Sequence, residues 1–314
     1  MSKTALLFPG QASQYVGMGK DLCDTFPLAR TMYEKANAVL EFDIARLSFE
    51  GPAEDLVQTI NTQPAIFVHS AIAFDLARER GLTGDVMAGH SLGEYSALYA
   101  AGVLSFEDAL MAVRRRAQFM QEACEAKPST MAAVLGLDYD QVVDVCTRAS
   151  DKGVVVAANY NGAAQIVISG DHDGIAAAGE LAKEAGAKRV IPLAVGGAFH
   201  SPLMEPSPER LKAVLDTIPF NAAHTPVILN VTAEATTDAA EIKARLIDQL
   251  TAPVLWYPTL REMEKMGVTQ TVELGPKKVL TGLAKSGLKG ATLLSVDTVA
   301  DLEQLESVFA RSTA

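Results

Sequence analysis

The sequence predicts an α/β fold in two parts: a large domain on a parallel sheet, and a small inserted domain with its own sheet. Three observations carry this expectation. Short apolar runs alternate with stretches of helical periodicity, which implies parallel strands joined by crossovers and covered on both faces. The run ending at Ala88 turns sharply through Gly89-His90-Ser91-Leu92-Gly93 into helix formers. Near Ala126 the alternation changes to a βαββαβ order that closes by about residue 196. At 314 residues, 49% apolar and 21% charged, the chain can bury one large core and a smaller one.

Composition also excludes several classes. No stretch approaches the roughly 20 apolar residues that span a bilayer, and the start lacks a basic leader with a long apolar run, so no membrane partner and a cytoplasmic location are expected. Cys23, Cys124 and Cys146 are too scattered for a disulfide framework or a metal site, which suits a reducing compartment. A net charge of −11 without a basic arm argues against nucleic acid.

In chain order, residues 4 to 8 read as a strand, followed by Pro9-Gly10-Gln11-Ala12 and a turn through Gly17 and Gly19. This loop fits neither nucleotide fingerprint: Leu22 stands where a third glycine belongs, and no Gly-Lys-Ser/Thr is near. Helical patterns run from about Pro27 to Leu40 and from Gln63 to Arg80, the second with Ile66, Ala73, Leu76 and Ala77 on one face. They lead into Gly89-His90-Ser91-Leu92-Gly93, a nucleophile elbow in which glycines permit a tight turn and the Ser91 hydroxyl stands at a helix N-terminus. The same pattern also fits an N-capping serine on a structural turn. Gln11 and Ser91 both follow strand ends, where sites of parallel sheets lie, and so are expected to share a crevice.

The next helix, Phe106 to Ala123, carries Arg114, Arg115 and Arg116. With Val113 at zero and about 100° per residue, Phe106, Ala109, Leu110, Ala117 and Met120 fall within about 60°. Arg116 falls near −60°, at the edge of that apolar face, whereas Arg114 at about 100° and Arg115 at about 200° point away. A half-buried arginine requires a partner, and none stands three or four residues away on its helix, so a ligand carboxylate is a candidate.

The inserted unit reads as a strand from Met131 to Leu137, a helix from Tyr139 to Ala149, and strands from Val154 to Ala158 and from Gln165 to Ser169. A helix from Gly174 to Ala185 and a strand from Arg189 to Leu193 complete it, giving a ferredoxin-like small domain over 126–196, with 1–125 and 197–314 forming the large domain. Asp171-His172-Asp173 precedes the second helix and reads as a cap rather than a metal site. Beyond it come a helix to about Thr217, a strand from Val227 to Val231, a helix from Ala239 to Leu250, a strand from Thr271 to Leu274 and a helix from about Ala300. A serine nucleophile needs a base, and of five histidines His200, after the glycine-rich junction Gly196-Gly197, is best placed. His90 should point away from the site, and no acid stands out as a third member.

Several motifs together resemble the malonyl-CoA:acyl-carrier-protein transacylase family, in family order across nearly the whole chain. They are Phe8-Pro9-Gly10-Gln11, Gly89-His90-Ser91-Leu92-Gly93-Glu94-Tyr95-Ser96-Ala97-Leu98, Arg116 with Phe119-Met120-Gln121, and Gly197-Ala198-Phe199-His200-Ser201. Asn230-Val231, Gln249 before Pro253-Val254, and Glu273-Leu274-Gly275-Pro276 continue the series. Ala12 and Lys277 depart from it, each standing where the family usually has glycine.

The resemblance implies an α/β-hydrolase-like large domain with a ferredoxin-like insert and a Ser91–His200 dyad. It also implies that, in place of an acid, the backbone carbonyl of Gln249 orients the histidine. It further implies an oxyanion hole from the N–H groups of Gln11 and Leu92, Arg116 on the substrate carboxylate and Phe199 as a wall that selects the acyl group. The activity implied is acyl-carrier-protein S-malonyltransferase: ping-pong transfer of malonyl from malonyl-CoA to the phosphopantetheine thiol of acyl carrier protein, for fatty-acid or polyketide synthesis. No metal or cofactor is called for, and a monomer is expected. Lys277, Lys278, Lys285 and Lys289 are candidates to receive an acidic carrier. The alternatives are a serine thioesterase, which would lack a use for Arg116, and a noncatalytic carrier-docking module, which would have no need of Ser91 and His200.

Overall fold

The structure, a computed structural model, describes residues 3–312. Its larger sheet comprises β1 (Lys3–Phe8), β2 (Val86–Gly89), β7 (Val227–Ile228), β8 (Ala235–Thr236), β9 (Val268–Leu274) and β10 (Thr292–Val296). Their order is β10-β9-β1-β2-β7-β8, parallel except for the β7–β8 pair. The central strands are apolar almost throughout because both faces are covered. Leu6 and Phe8 of β1 enter one core, and Ala5 and Leu7 enter the opposite one.

The smaller sheet holds β3 (Ser129–Leu135), β4 (Val155–Gly162), β5 (Gln165–Asp171) and β6 (Arg189–Pro192), ordered β4-β5-β3-β6. Every neighbouring pair in it is antiparallel. With helices Tyr139–Ala149 and His172–Glu184 packed together over a separate core, this is the ferredoxin-like arrangement. Asp171 caps the second helix by accepting from Gly174 N at 2.7 Å. The two sheets are stitched at Val254, whose N–H donates to the Ala158 carbonyl (2.8 Å) and whose carbonyl accepts from Tyr160 (2.9 Å). The next residue, Leu255, donates to the Asn230 carbonyl beside the elbow.

Phe8 and Gly89 are register partners at the carboxyl ends of β1 and β2, so the Gln11 and Ser91 loops emerge side by side. A Cβ on Gly89 would overlap the Gly93 carbonyl, and one on Gly93 would overlap the Phe8 carbonyl. These glycines are therefore required by close backbone approach. Buried Glu273 caps helix Val279–Gly287, accepting from Leu280 N (2.9 Å) and Thr281 N (2.7 Å). Asp297, just past β10, accepts from the Tyr15 hydroxyl (3.0 Å) and Lys277 N (2.9 Å), tying the Gln11 loop to the 275–278 turn.

Several elements differ from expectation. The helix expected over Gln63 to Arg80 runs Thr59–Glu79 and is buried on all faces between 62 and 77, not on one. Pro64 lies inside it, and the carbonyl its missing N–H would serve, that of Ile60, accepts from Arg114 Nη1 at 3.0 Å instead. Arg114, which also covers the Phe42 ring, is thus not merely a solvated side chain. β7 stops at Ile228, because Asn230 beyond it is committed to the elbow. Helices Trp256–Lys265 and Val279–Gly287, and strand β10, have no counterpart in the sequence reading.

Ala12 (φ 82°) and Lys277 (φ 64°) both occupy the left-handed region, and Lys277 Nζ donates to the Ala12 carbonyl at 3.4 Å. The two departures from the family pattern therefore fall where glycine would be unstrained. Ala12→Gly should raise the unfolding free energy by about 0.5 to 1 kcal/mol, whereas Gly89→Ala should lower it by about 3 kcal/mol or more. Urea unfolding measures both, and a destabilised Ala12→Gly protein would contradict the strain argument.

Candidate active site

Ser91 sits between β2 and helix Gly93–Ala100 with φ 52°, a left-handed conformation unusual for serine. Asn230 holds this turn from both sides: its Oδ1 accepts from Ser91 N (2.7 Å) and its Nδ2 donates to the Gly89 carbonyl (2.7 Å). His200, at φ 57°, approaches from the junction after the small sheet. Its Nε2 lies 2.7 Å from Ser91 Oγ, and its Nδ1–H donates to the Gln249 carbonyl at 2.8 Å. That tautomer leaves Nε2 free to accept the serine proton.

Arg116 is fully buried, 0% exposed, although the sequence suggested only half. Nη1 donates to Gln63 Oε1 (2.6 Å), and Nη2 donates to both Gln249 Oε1 (2.9 Å) and Ser91 Oγ (3.0 Å). Nε has no acceptor among the described residues. The Gln249 side chain continues the network, with Nε2 donating to the Ser91 carbonyl (3.1 Å) and to Glu94 Oε2 (2.9 Å).

These groups open into a cavity of about 240 Å³. Gln11, Leu92 and Phe199 line it with Ser91, Arg116 and His200, so every residue expected at the acyl-transfer site except Gln249 is on its wall, and Gln249 stands directly behind; the candidate carrier contacts Lys277, Lys278, Lys285 and Lys289 are not on it. The N–H of Ser91 is taken by Asn230, while those of Gln11 and Leu92 have no protein acceptor among the described residues. His90 also lines the cavity, contrary to expectation, with Nε2 2.8 Å from Asn161 Oδ1 and its ring against Trp256. Among the described residues no group of three or more His, Cys, Asp or Glu has metal-binding geometry.

Sequence reasoning missed Gln63, Glu94 and the side chain of Gln249. Their signal was present but indirect: Glu94 and Gln63 lie on helices with no polar face, where a polar side chain must find buried partners.

Electrostatically the site favours a neutral base. Burial, reinforced by the Arg116 charge, pushes His200 down to about 3. Burial alone would raise Glu94 further, but its bonds to Gln249 and Asn230 and the Arg116 charge hold it at about 7. Burial also lowers Arg116 from its ordinary value, opposed by Tyr95 and Glu94.

A strained serine on a strand-to-helix turn, a neutral histidine on its hydroxyl and two free N–H groups beside it define a serine-dependent acyltransferase or hydrolase. The comparisons narrow this. Residues 5–308 match the model of the acyl transferase domain. The malonyl CoA-acyl carrier protein transacylase of Bacillus subtilis is 48% identical over 307 residues, 98% of this chain and 96% of that protein. That of Haemophilus influenzae is 41% identical over 308 residues, 98% and 99% respectively. A crystal structure of an acyl carrier protein S-malonyltransferase from Vibrio cholerae superposes with a TM-score of 0.94 at 42% identity, covering 97% of this chain and all of that one. A complex of a type II polyketide acyl-carrier protein with its malonyl-transacylase gives 0.94 at 37% identity, covering 98% of this chain and 100% of that one. The chain belongs to the malonyl-CoA:acyl-carrier-protein transacylase family.

Because His200 titrates far below an ordinary histidine, Ser91 should react with a neutral acylating agent at undiminished rate well below pH 6.5. By linkage, His200 contributes stability above about 6.5 that is lost as pH falls toward 3, the folded state resisting the proton that the unfolded chain accepts. A stopped-flow acylation profile with its acid midpoint at 6.5 would contradict this.

Proposed function

We propose that the protein transfers the malonyl group of malonyl-CoA to the phosphopantetheine thiol of acyl carrier protein through a malonyl ester on Ser91. The observation that carries this reading is a fully buried guanidinium 3.0 Å from the nucleophile oxygen, where a plain esterase has no use for one. Ser91 Oγ attacks the thioester carbonyl as His200 Nε2 takes its proton, and Gln11 and Leu92 N–H stabilise the oxyanion, each donor worth about 3 kcal/mol. Collapse expels coenzyme A, with the proton returned from His200 to its sulfur. The carrier's thiol then attacks the ester, His200 takes that proton, and Ser91 leaves as its alcohol when the proton is handed back.

Arg116 holds the free malonyl carboxylate with its planar, two-pronged guanidinium. Phe199 closes the cavity beside the acyl site and disfavours an added methyl. The backbone carbonyl of Gln249 orients His200, in place of a carboxylate. The reaction runs without a metal or other cofactor, since base, oxyanion donors and carboxylate clamp are all protein groups.

The division into a catalytic domain of 1–125 and 197–314 and an insert of 126–196 is supported by the two separate sheets. A monomeric, cytoplasmic protein completes the reading, and three unpaired cysteines suit the cytoplasm. Helix Val279–Gly287 contributes Val279, Leu280 and Leu283 to the cavity wall, and Lys277, Lys278, Lys285 and Lys289, on and around that helix, are the proposed contacts for an acidic carrier.

The test is selective loss. Arg116→Ala should slow malonyl loading by about 3 to 5 kcal/mol in barrier, while acetyl loading is unharmed or improved. Arg115→Ala, on the exposed side of the same helix, should change neither. Single-turnover loading from both acyl-CoAs measures this, and equal losses in Arg116→Ala would remove the carboxylate role.

A further inference from the structure

Glu94 is a charged residue of the elbow motif to which the reaction above gives no work. It is buried in the first turn of helix Gly93–Ala100, without a polar face to occupy. Both bonds it makes are on one oxygen: Oε2 accepts from Gln249 Nε2 at 2.9 Å and from Asn230 N at 3.1 Å. Oε1 has no partner among the described residues.

An amide side chain offers a donor end and an acceptor end, and which end faces which neighbour is decided by those neighbours. A carboxylate oxygen on the far side of Gln249 accepts only, so it draws Nε2 toward itself and turns Oε1 toward Arg116, where it meets Nη2 at 2.9 Å. The reversed amide would set donor against donor at Arg116. The Ser91 carbonyl and, more weakly, Asn230 Oδ1 support the same orientation from the elbow side. Gln249 thus relays the preference of a buried acid to the guanidinium, while its own carbonyl, fixed at the end of helix Ala239–Asp248, independently holds His200.

We infer that Glu94 is a positioning residue, which through the Gln249 amide holds the Arg116 guanidinium in the orientation that receives the substrate carboxylate. The inference rests on the reading of Arg116 as the carboxylate clamp. It separates two functions of Gln249: the side chain serves acyl selection, and the backbone serves the base. Glu94 can carry a proton on its unpartnered Oε1 without giving up either bond on Oε2, so the acceptor matters more than the charge.

Three single variants and one double variant test this by single-turnover loading from malonyl-CoA and acetyl-CoA, with labelling of Ser91 by a neutral fluorophosphonate as a readout of the dyad alone. Glu94→Met, which removes the acceptor, should lower the malonyl-to-acetyl loading ratio by about ten-fold, in keeping with loss of one buried hydrogen bond. Glu94→Gln, which keeps an acceptor oxygen, should recover most of that ratio. Fluorophosphonate labelling should stay near the wild-type rate in both. Gln249→Met should lower the ratio as much as Glu94→Met, and the double variant should lose no more than either single one, because both break one relay.

A Glu94→Met ratio equal to wild type, proportional loss of all three activities, or additive losses in the double variant would overturn the inference. If Glu94→Met does not fold, the Gln249→Met and Glu94→Gln comparison decides: an unchanged ratio in Gln249→Met overturns it. Arg116→Ala run in parallel keeps the two readings apart. An altered ratio there with an unaltered one at Glu94 defeats only the relay, whereas an unaltered ratio in Arg116→Ala defeats the clamp and the relay with it.

Discussion

A buried guanidinium with no carboxylate in direct contact among the described residues is the constraint on which the site depends. Desolvating such a charge is costly unless its donors are satisfied. Here the oxygens of Gln63 and Gln249 and the hydroxyl of Ser91 supply the acceptors, and Glu94 sits one side chain further back. That distance is functionally apt. A direct ion pair would compete with an incoming carboxylate, whereas neutral amide oxygens hold the side chain without cancelling its charge. The same positive charge helps to keep His200 neutral, so one residue serves both the proposed acyl recognition and the state of the proposed base.

Holding these groups within hydrogen-bond distance requires strained backbone. Ser91 and His200 both have positive φ, a conformation that persists only where surrounding structure over-determines it. Asn230 supplies that at the elbow by bonding both Gly89 and Ser91. At His200 the carbonyl of Gln249 fixes the ring, and Ser169 of the small sheet donates to the neighbouring Phe199 carbonyl at 2.6 Å. Both sheets thereby contribute to one dyad, and the Val254 stitch between them lies two bonds from Asn230 through Leu255.

Much of this was legible in the sequence, for physical reasons that differ by residue. The elbow declares itself through glycines that only close backbone contact requires, and the inward direction of Arg116 follows from helix geometry before any family is considered. The ferredoxin-like order was readable because the small sheet alternates regularly with its two helices. What stayed hidden was tertiary. The depth of Arg116, the Glu94–Gln249 connection and the presence of His90 on the cavity wall depend on segments far apart in the chain, and no local periodicity encodes them. Helix Thr59–Glu79 misled because a helix buried on every side has no apolar stripe to read, and its proline is accommodated by an arginine from another helix. Ala12 and Lys277 were visible as departures, but only the dihedral angles explain their cost.

The account is tested most directly by intact-protein mass spectrometry of the chain mixed with malonyl-CoA, followed by addition of phosphopantetheinylated acyl carrier protein. One malonyl group should appear on the wild-type protein, map to Ser91, and pass to the carrier when it is added; Ser91→Ala protein should remain unmodified and transfer nothing. A malonyl adduct of undiminished amount on Ser91→Ala, or transfer to the carrier without one, would contradict it.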